Sequence, residues 1–122
     1  MTNLLLLISA LIMVESSGDD FVVDKMGRCY GCLQLKRIYI ADVNRIAGTN
    51  YTISDAFIRA KAVDMFRIYV GHYATKERLG HEPTFEDMAR IHTGGPNGWY
   101  DTKTDHYWKK VKTELKARGW NG

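Results

Sequence analysis

The sequence predicts a mainly α-helical domain of about five helices, with a small irregular or β-hairpin segment after the first helix. The N-terminal stretch is an apolar run of helical length, and apolar residues recur at three- and four-residue steps in the middle of the chain. Glycine and proline separate these segments. No alternation of strands with helices is visible, so a parallel sheet is not expected.

Length and composition indicate one ordinary globular domain spanning residues 1–122. Hydrophobic residues make up 45% of the chain and charged residues 25%, which is typical of soluble proteins. The net charge of +3 favours anionic partners. Possible anionic partners are nucleic acid, a membrane surface and the bacterial cell wall. The net charge does not distinguish among them.

The first helix is predicted over residues 3–17 and ends at Gly18, a common helix terminator. Because residues 4–14 are almost all apolar, this helix should be the most buried element. The run resembles the apolar region of a signal peptide, but no Lys or Arg precedes it and no clear cleavage site follows. It is also too short to span a bilayer. We therefore interpret it as a core helix and expect no stable membrane insertion.

The next segments contain a loop and two helices. Residues 19–32 are interrupted by glycines, which predicts a loop or small hairpin. Residues 33–46 predict a helix that Gly48 ends, and residues 54–78 predict a long helix capped by Thr52 or Ser54. The apolar stripe of the long helix consists of Phe57, Ala60, Val63, Phe66, Val70 and Tyr73.

Two further helices complete the prediction. Thr84 and Asp87 have the spacing of a capping box, and the helix that they begin must end at the turn of residues 94–96. Thr104 is expected to cap a last helix over residues 105–118. Its inward residues are Tyr107, Trp108, Val111 and Leu115, and its solvent-facing cations are Lys109, Lys110, Lys112, Lys116 and Arg118.

Cys29 and Cys32 form a lone C-x-x-C pair. A zinc site needs about four ligands, and a thioredoxin-like redox site needs a βαβ context, neither of which the sequence offers. We interpret both cysteines as free, packed thiols of a reducing compartment. No metal and no cofactor are expected.

Glu15 follows directly on the apolar run. A carboxyl at the rim of a hydrophobic core is in the environment that favours the protonated form, which a general acid needs. The alternative is a solvated residue at the end of a helix.

Several short motifs occur together in a characteristic order. Glu15-Ser-Ser-Gly18 is followed by Gly31-Cys-Leu-Gln-Leu35, then by a long helix, and finally by His92-Thr-Gly-Gly-Pro-Asn-Gly98. This order resembles the lysozyme superfamily over about residues 4–115. It is similar to soluble lytic transglycosylases, which have a Glu-Ser pair, a Gly-x-x-Gln turn and a late Tyr-Asn-x-Gly-Pro turn. It is also similar to invertebrate-type lysozymes, which have a Glu-Ser-Gly start and a late His-Asn-Gly-Gly-Pro-x-Gly turn.

The chain departs from both patterns. Thr93 stands where the invertebrate-type lysozymes have Asn, and His92 stands where the transglycosylases have Tyr. The disulfide framework of the invertebrate-type lysozymes is absent. The resemblance nevertheless implies an α+β lysozyme-like fold and cleavage of the β-1,4 bond between N-acetylmuramic acid and N-acetylglucosamine.

The resemblance also implies catalytic roles. Glu15 would protonate the leaving oxygen. Residues 24–36 can be laid without a gap on the lysozyme segment that begins with its second catalytic Asp, which makes Asp24 the second carboxylate. Asp19 and Asp20 are alternatives, and all three could be solvated loop acids. Without a second carboxylate, the 6-hydroxyl of the substrate would attack, as in lytic transglycosylation.

Seven further residues are predicted to bind substrate: Gln34, Tyr30, His92, Thr93, Gly94, Gly95 and Trp99. Gln34 could instead satisfy backbone groups, and His92 could instead cap its helix. Glycine is suited to the Gly94-Gly95 turn because it tolerates unusual dihedral angles and lets backbone approach a sugar.

The predicted partner is a peptidoglycan glycan strand, bound by a monomer that does not bind nucleic acid. A phage or prophage enzyme fits best, made in the bacterial cytoplasm and acting on the wall after release or as part of a virion. Two rival functions remain open. One is a lysozyme-like domain that only binds glycan, and the other is a basic helical module that binds nucleic acid through the cations of the last helix.

Overall fold

The computed structural model describes residues 3–122, and its helices confirm the mainly α-helical prediction. This part of the chain contains six α-helices, one more than expected, and no regular strand. The helices are α1 (Leu4–Ser16), α2 (Arg37–Ala47), α3 (Arg59–Tyr73), α4 (Lys76–Leu79), α5 (Phe85–Gly94) and α6 (Asp105–Ala117). Two compact units are present: residues 15–72 form one, and residues up to 14 together with 73–122 form the other.

Helix α1 confirms the predicted first helix. Leu7, Ala10 and Leu11 have no exposed surface. The helix ends where Ser17 and Gly18 both adopt positive φ angles, 53° and 86°. No helix among residues 3–122 combines the length and apolar character that a membrane span requires.

The segment between α1 and α2 is irregular, as predicted, with two antiparallel bridges from Tyr30 to Val23 and to Leu35. The prediction that residues 33–46 form one helix was wrong at its start. Gln34 has a positive φ of 51°, and Tyr30 and Leu35 exchange backbone hydrogen bonds of 3.0 and 2.9 Å. These bonds close a tight turn, so α2 begins only after the extended Lys36.

The predicted long helix over residues 54–78 was also wrong, because the chain breaks twice. A 3₁₀ helix (Ile53–Phe57) comes first, and the extended Ile58 separates it from α3. Its start is capped as expected, since the Thr52 backbone N–H donates to the Asp55 carboxylate at 2.8 Å. A second break lies at Thr75, which is extended and caps α4 by accepting from the backbone N–H of Arg78.

These breaks change which face of α3 is buried. Its buried residues are Ala62, Met65, Phe66, Tyr69 and Val70. Of the predicted stripe only Phe66 and Val70 are buried, and the other four members are half-buried or exposed. Tyr69 stacks on Tyr39 of α2 with ring centroids 3.8 Å apart, so an aromatic contact between helices accompanies the rotated face.

In the other unit, α5 packs against α6 and against a 3₁₀ helix over Gly98–Tyr100. The predicted capping box is confirmed, with Thr84 and Asp87 bonding each other's backbone N–H groups. Trp108, Val111 and Leu115 of α6 are buried as predicted, whereas Tyr107 is only half-buried.

Thr104 precedes α6 but does not cap it, contrary to expectation. Its hydroxyl oxygen lies instead within hydrogen-bond distance of the carbonyl oxygens of Gly98 and Asp101, at 2.9 and 2.7 Å. A further 3₁₀ turn over Thr102–Thr104 brings these groups together, which the sequence did not reveal.

In the unit formed by residues 15–72, Gly31 is the glycine at which an added side chain would collide with the backbone. Its φ is 80°, and a Cβ added there would lie 1.9 Å from the carbonyl oxygen of Ala56. We expect Gly31→Ala to lower the free energy of unfolding by about 3 kcal/mol, because backbone strain adds to steric overlap. Gly27→Ala is the matched control, since Gly27 also has a positive φ but no atom within 4 Å of its Cβ position. That variant should lose only about 1 kcal/mol. Urea unfolding measures both free energies, and equal losses in the two variants would contradict the close approach of Gly31 to Ala56.

Candidate active site

Glu15 lies half-buried in the last turn of α1, and its neighbour Ser16 fixes that turn. The buried Ser16 hydroxyl donates to the carbonyl oxygen of Cys32 at 2.9 Å. On the following turn, Arg59 donates to the carbonyl of Gly18 at 2.6 Å and to the Asp20 carboxylate at 2.8 Å. The backbone that carries Glu15 is therefore anchored to two distant parts of its own unit.

Asp24 is held by backbone donors of its own loop. Its Oδ1 accepts hydrogen bonds from the backbone N–H groups of Arg28 at 2.6 Å and Cys29 at 2.8 Å. The N–H groups of Cys29 and Arg28 lower the pKa of the Asp24 carboxyl, and the nearby Arg28 charge acts in the same direction. Asp24 is therefore a carboxylate at neutral pH.

The thiol of Cys29 lies within electrostatic range of both predicted catalytic acids. Burial raises the pKa of the Cys29 thiol, and the charges of Asp24 and, more weakly, Glu15 raise it further, while Lys36 opposes them. Both acids belong to the unit formed by residues 15–72, and the charges of both act on this thiol.

The alternative second carboxylates, Asp19 and Asp20, have partners of their own. Asp20 pairs with Arg59, and Asp19 accepts from the backbone N–H of Phe21 at 2.8 Å. Asp24 is thus the acid whose charge also reaches the thiol that Glu15 influences.

Gln34 and Tyr30 support the loop that contains Asp24. The side-chain amide of Gln34 donates to the carbonyls of Val22 and Gly31 at 3.1 and 3.0 Å, which is the backbone role considered above. Its Oε1 is the group that it could offer to a substrate. Tyr30 is 7% exposed, and its hydroxyl donates to the carbonyl of Gly27. Its ring therefore offers little free surface for a sugar.

A cavity of ≈ 440 Å³ lies beside Asp24. It is lined by Asp24, Gly27, Arg28, Cys29, Tyr30, Lys36, Arg37 and Ile38. Its size is within the range of small-molecule sites. Sequence reasoning identified Asp24 and Tyr30 but missed the three cations, because surface Lys and Arg carry no signal until the fold gathers them.

The remaining predicted site residues lie in the other unit. His92 is buried and Thr93 half-buried in the last turn of α5, and Gly94 is exposed at its end. Gly95 has a φ of 87°, and its carbonyl accepts from the N–H of Gly98 at 2.8 Å, so the expected tight turn is present. Trp99 is half-buried.

Arg78 holds this turn, although no sequence motif singles it out. Its guanidinium donates to the carbonyl of Pro96 at 3.0 Å and to the side chain of Asn97 at 3.2 Å. The contact joins residues 18 and 19 positions apart, a separation at which sequence periodicity has no information. The ring of Trp99 lies edge-on to His81 and Tyr100, with centroids 5.8 and 5.1 Å away.

Both cysteines are free thiols, as predicted. Cys32 is fully buried, and burial raises the pKa of its thiol to about 11. Within residues 3–122, no three His, Cys, Asp or Glu side chains are placed to hold a metal ion.

Comparison with known proteins reveals similarity to lysozymes of bivalve molluscs. The chain is 31% identical over 84 residues to Lysozyme 1 of Crassostrea virginica, an alignment that covers 69% of this chain and 44% of that protein. It is 31% identical over 90 residues to Lysozyme of Ostrea edulis, covering 72% and 63% respectively. The chain thus spans about half the length of these curated relatives. No family model matches it.

Solved structures show the same similarity. The crystal structure of Tapes japonica lysozyme matches with a TM-score of 0.78 and 24% identity, covering 95% of this chain and 94% of that one. The chain has a lysozyme-like fold. A chain in the crystal structure of Aeromonas hydrophila PliI in complex with Meretrix lusoria lysozyme matches with a TM-score of 0.74 and 28% identity, covering 88% and 87%. The fold that the resemblance implied is thereby confirmed.

The raised pKa of Cys32 predicts a loss of stability in alkali. Above the ordinary thiol value of 9.0 the unfolded chain releases this proton, whereas the folded chain keeps it until about 11. The free energy of unfolding should therefore fall as pH rises from about 9 through about 11. Urea unfolding across this range should show a shallower fall for Cys32→Ala than for the wild type. Parallel pH dependence in the two proteins would contradict the prediction.

Proposed function

We propose that the chain is a peptidoglycan muramidase that cleaves the β-1,4 bond between N-acetylmuramic acid and N-acetylglucosamine. The observation that carries this proposal is the lysozyme-like fold, in which Glu15 lies in the last turn of α1 and two backbone N–H groups hold the Asp24 carboxylate. Glycosidases of this kind use two carboxyl groups with different tasks. The similarity to proteins named lysozyme supports the same reaction.

Asp24 supplies negative charge in the proposed mechanism. Its two backbone hydrogen bonds favour the ionised form, which can stabilise the positive charge that develops at the sugar carbon. Glu15 donates its proton to the leaving oxygen and later accepts one from the attacking group. The anchors at Ser16 and Arg59 keep its helix end in place during both steps.

Hydrolysis is the route that we propose, because an ionised second carboxylate can act there as nucleophile or as base for the attacking water. In the hydrolytic route Asp24 acts as nucleophile, as base for water or as electrostatic stabiliser. In the transglycosylase route the 6-hydroxyl of the substrate attacks and leaves a 1,6-anhydro sugar.

The biological setting and the alternative functions remain predictions. The relatives come from bivalves, whereas the sequence suggested a phage or prophage enzyme, and that origin is still an expectation, as is the monomeric state. The basic face of α6 gives no added support for nucleic-acid binding. Arg118, one of its cations, pairs with Glu114 on the same helix at 3.1 Å.

Replacing the acid should abolish cleavage. We expect Glu15→Gln to reduce release of muropeptides from purified peptidoglycan about 1,000-fold, because the leaving oxygen loses its proton donor. Mass spectrometry of the products checks this and also the route: hydrolysis leaves reducing ends, and transglycosylation leaves 1,6-anhydro ends. Glu77→Gln, at an exposed position of α4, is the matched control and should retain activity. A folded wild-type chain that releases nothing from several wall types would overturn the enzyme assignment.

Two substitutions of Asp24 separate its charge from its role in the loop. Asn retains an oxygen that can accept from the two backbone N–H groups but removes the charge. We therefore expect Asp24→Asn to melt near the wild-type temperature yet lose about 100-fold in activity. Asp24→Ala should lose stability as well, since it leaves two backbone donors without their acceptor. Full activity of the Asn variant would make Asp24 a structural residue and favour transglycosylation.

A further inference from the structure

The cavity beside Asp24 has a charge that cleavage of a neutral sugar bond does not require. Its described lining contains three cations, Arg28, Lys36 and Arg37, and one acid, Asp24. Positive charge therefore dominates, whereas the glycosidic bond and the ring hydroxyls are uncharged. An anionic group attached to the sugar chain would account for this excess of positive charge.

These cations form no close ion pair within the described part of the chain. Arg28, Lys36 and Arg37 form no salt bridge with any carboxylate of residues 3–122. Arg59, in the same unit, shows the contrasting case, since it pairs with Asp20. The Oδ1 atom of Asp24 accepts hydrogen bonds from two backbone N–H groups. The cationic groups are thus available to an external anion.

Arg37 is held in position before any ligand arrives. Its guanidinium lies over the Tyr30 ring, 5.8 Å from the centroid. That ring is itself fixed, because the Tyr30 hydroxyl donates to the carbonyl of Gly27 at 2.7 Å. A guanidinium that is already restrained loses less conformational entropy on binding, and its planar donor geometry matches a carboxylate.

Lys36 and Ile38 also line the cavity. The charge of Lys36 acts to lower the pKa of the Cys29 thiol, which lines the same cavity. Ile38 is 78% exposed, so the cavity also has an apolar contact surface. Cationic and apolar groups side by side suit a short peptide that ends in a carboxylate better than a sugar ring.

We propose that this cavity binds a carboxylate of the peptide that peptidoglycan carries on its muramic acid residues. Arg37 and Lys36 are its principal ligands, and Arg28 adds positive charge at the edge. The inference rests on the proposed muramidase function and specifies its substrate: glycan strands with anionic peptides, in preference to neutral chitin-type strands.

The test compares the binding of two disaccharides by calorimetry. One probe is N-acetylglucosaminyl-N-acetylmuramic acid that carries its peptide, and the other is neutral chitobiose. Neither disaccharide contains the bond that a muramidase cleaves, and both are titrated into Glu15→Gln protein so that no residual turnover interferes. The ratio of the two affinities should fall about tenfold with Arg37→Gln and similarly with Lys36→Gln, as expected for the loss of one charge-assisted contact. High salt should reduce the same ratio.

Arg67→Gln is the matched control. Arg67 is an exposed arginine of α3 in the same unit, and it does not line the cavity. Its substitution removes one charge and should leave the affinity ratio unchanged. Melting temperatures of all variants show whether each is folded.

Three outcomes would change the interpretation. Equal affinity for both disaccharides, or a ratio unaffected by Arg37→Gln and Lys36→Gln, would overturn the carboxylate site even if the wild type degrades the wall. Stronger binding of a peptide-free wall fragment that carries phosphodiesters would overturn the carboxylate in favour of phosphate. Preference for the peptide-bearing disaccharide in a chain that cleaves no wall would support the site and remove the proposed enzyme function.

Discussion

The hydrogen bond from Ser16 to the carbonyl of Cys32 is the interaction on which the candidate active site depends. It is buried, spans 16 residues, and joins the end of α1 to the turn that precedes α2. Hydrogen bonds of this kind stabilise a folded protein by about 1 kcal/mol each. Because the adjacent residue is Glu15, the same bond that stabilises the unit also sets the position of the proposed acid.

Sequence predicted those parts of the fold that local chemistry decides. Gly18 and Gly48 end helices, and the Thr84–Asp87 capping box begins one, because each acts through backbone groups within a few residues. The errors lie where contacts outside the helical period decide. Nothing in residues 33–36 announces that Leu35 pairs with Tyr30, so a helix was predicted where the chain forms a turn.

The site shows the same division between local motif and distant contact. The Glu-Ser pair and the Asp24 segment could be found from residue types, since a resemblance in order and spacing is visible without coordinates. Arg59 and Arg78, which hold the loops around the candidate residues, act on groups about 20 to 40 positions away, and the cationic lining of the cavity likewise arises only through folding.

The two proposed catalytic acids are held in place by contacts of very different sequence separation. Asp24 is positioned by donors four and five residues away, so its loop keeps the carboxylate in place as long as that short segment is intact. Glu15 is positioned by contacts that span 16 and 41 residues. A contact that closes a longer loop releases more chain entropy when it opens. The Asp24 loop can therefore stay intact in a partly opened domain in which the end of α1 has lost these long-range contacts.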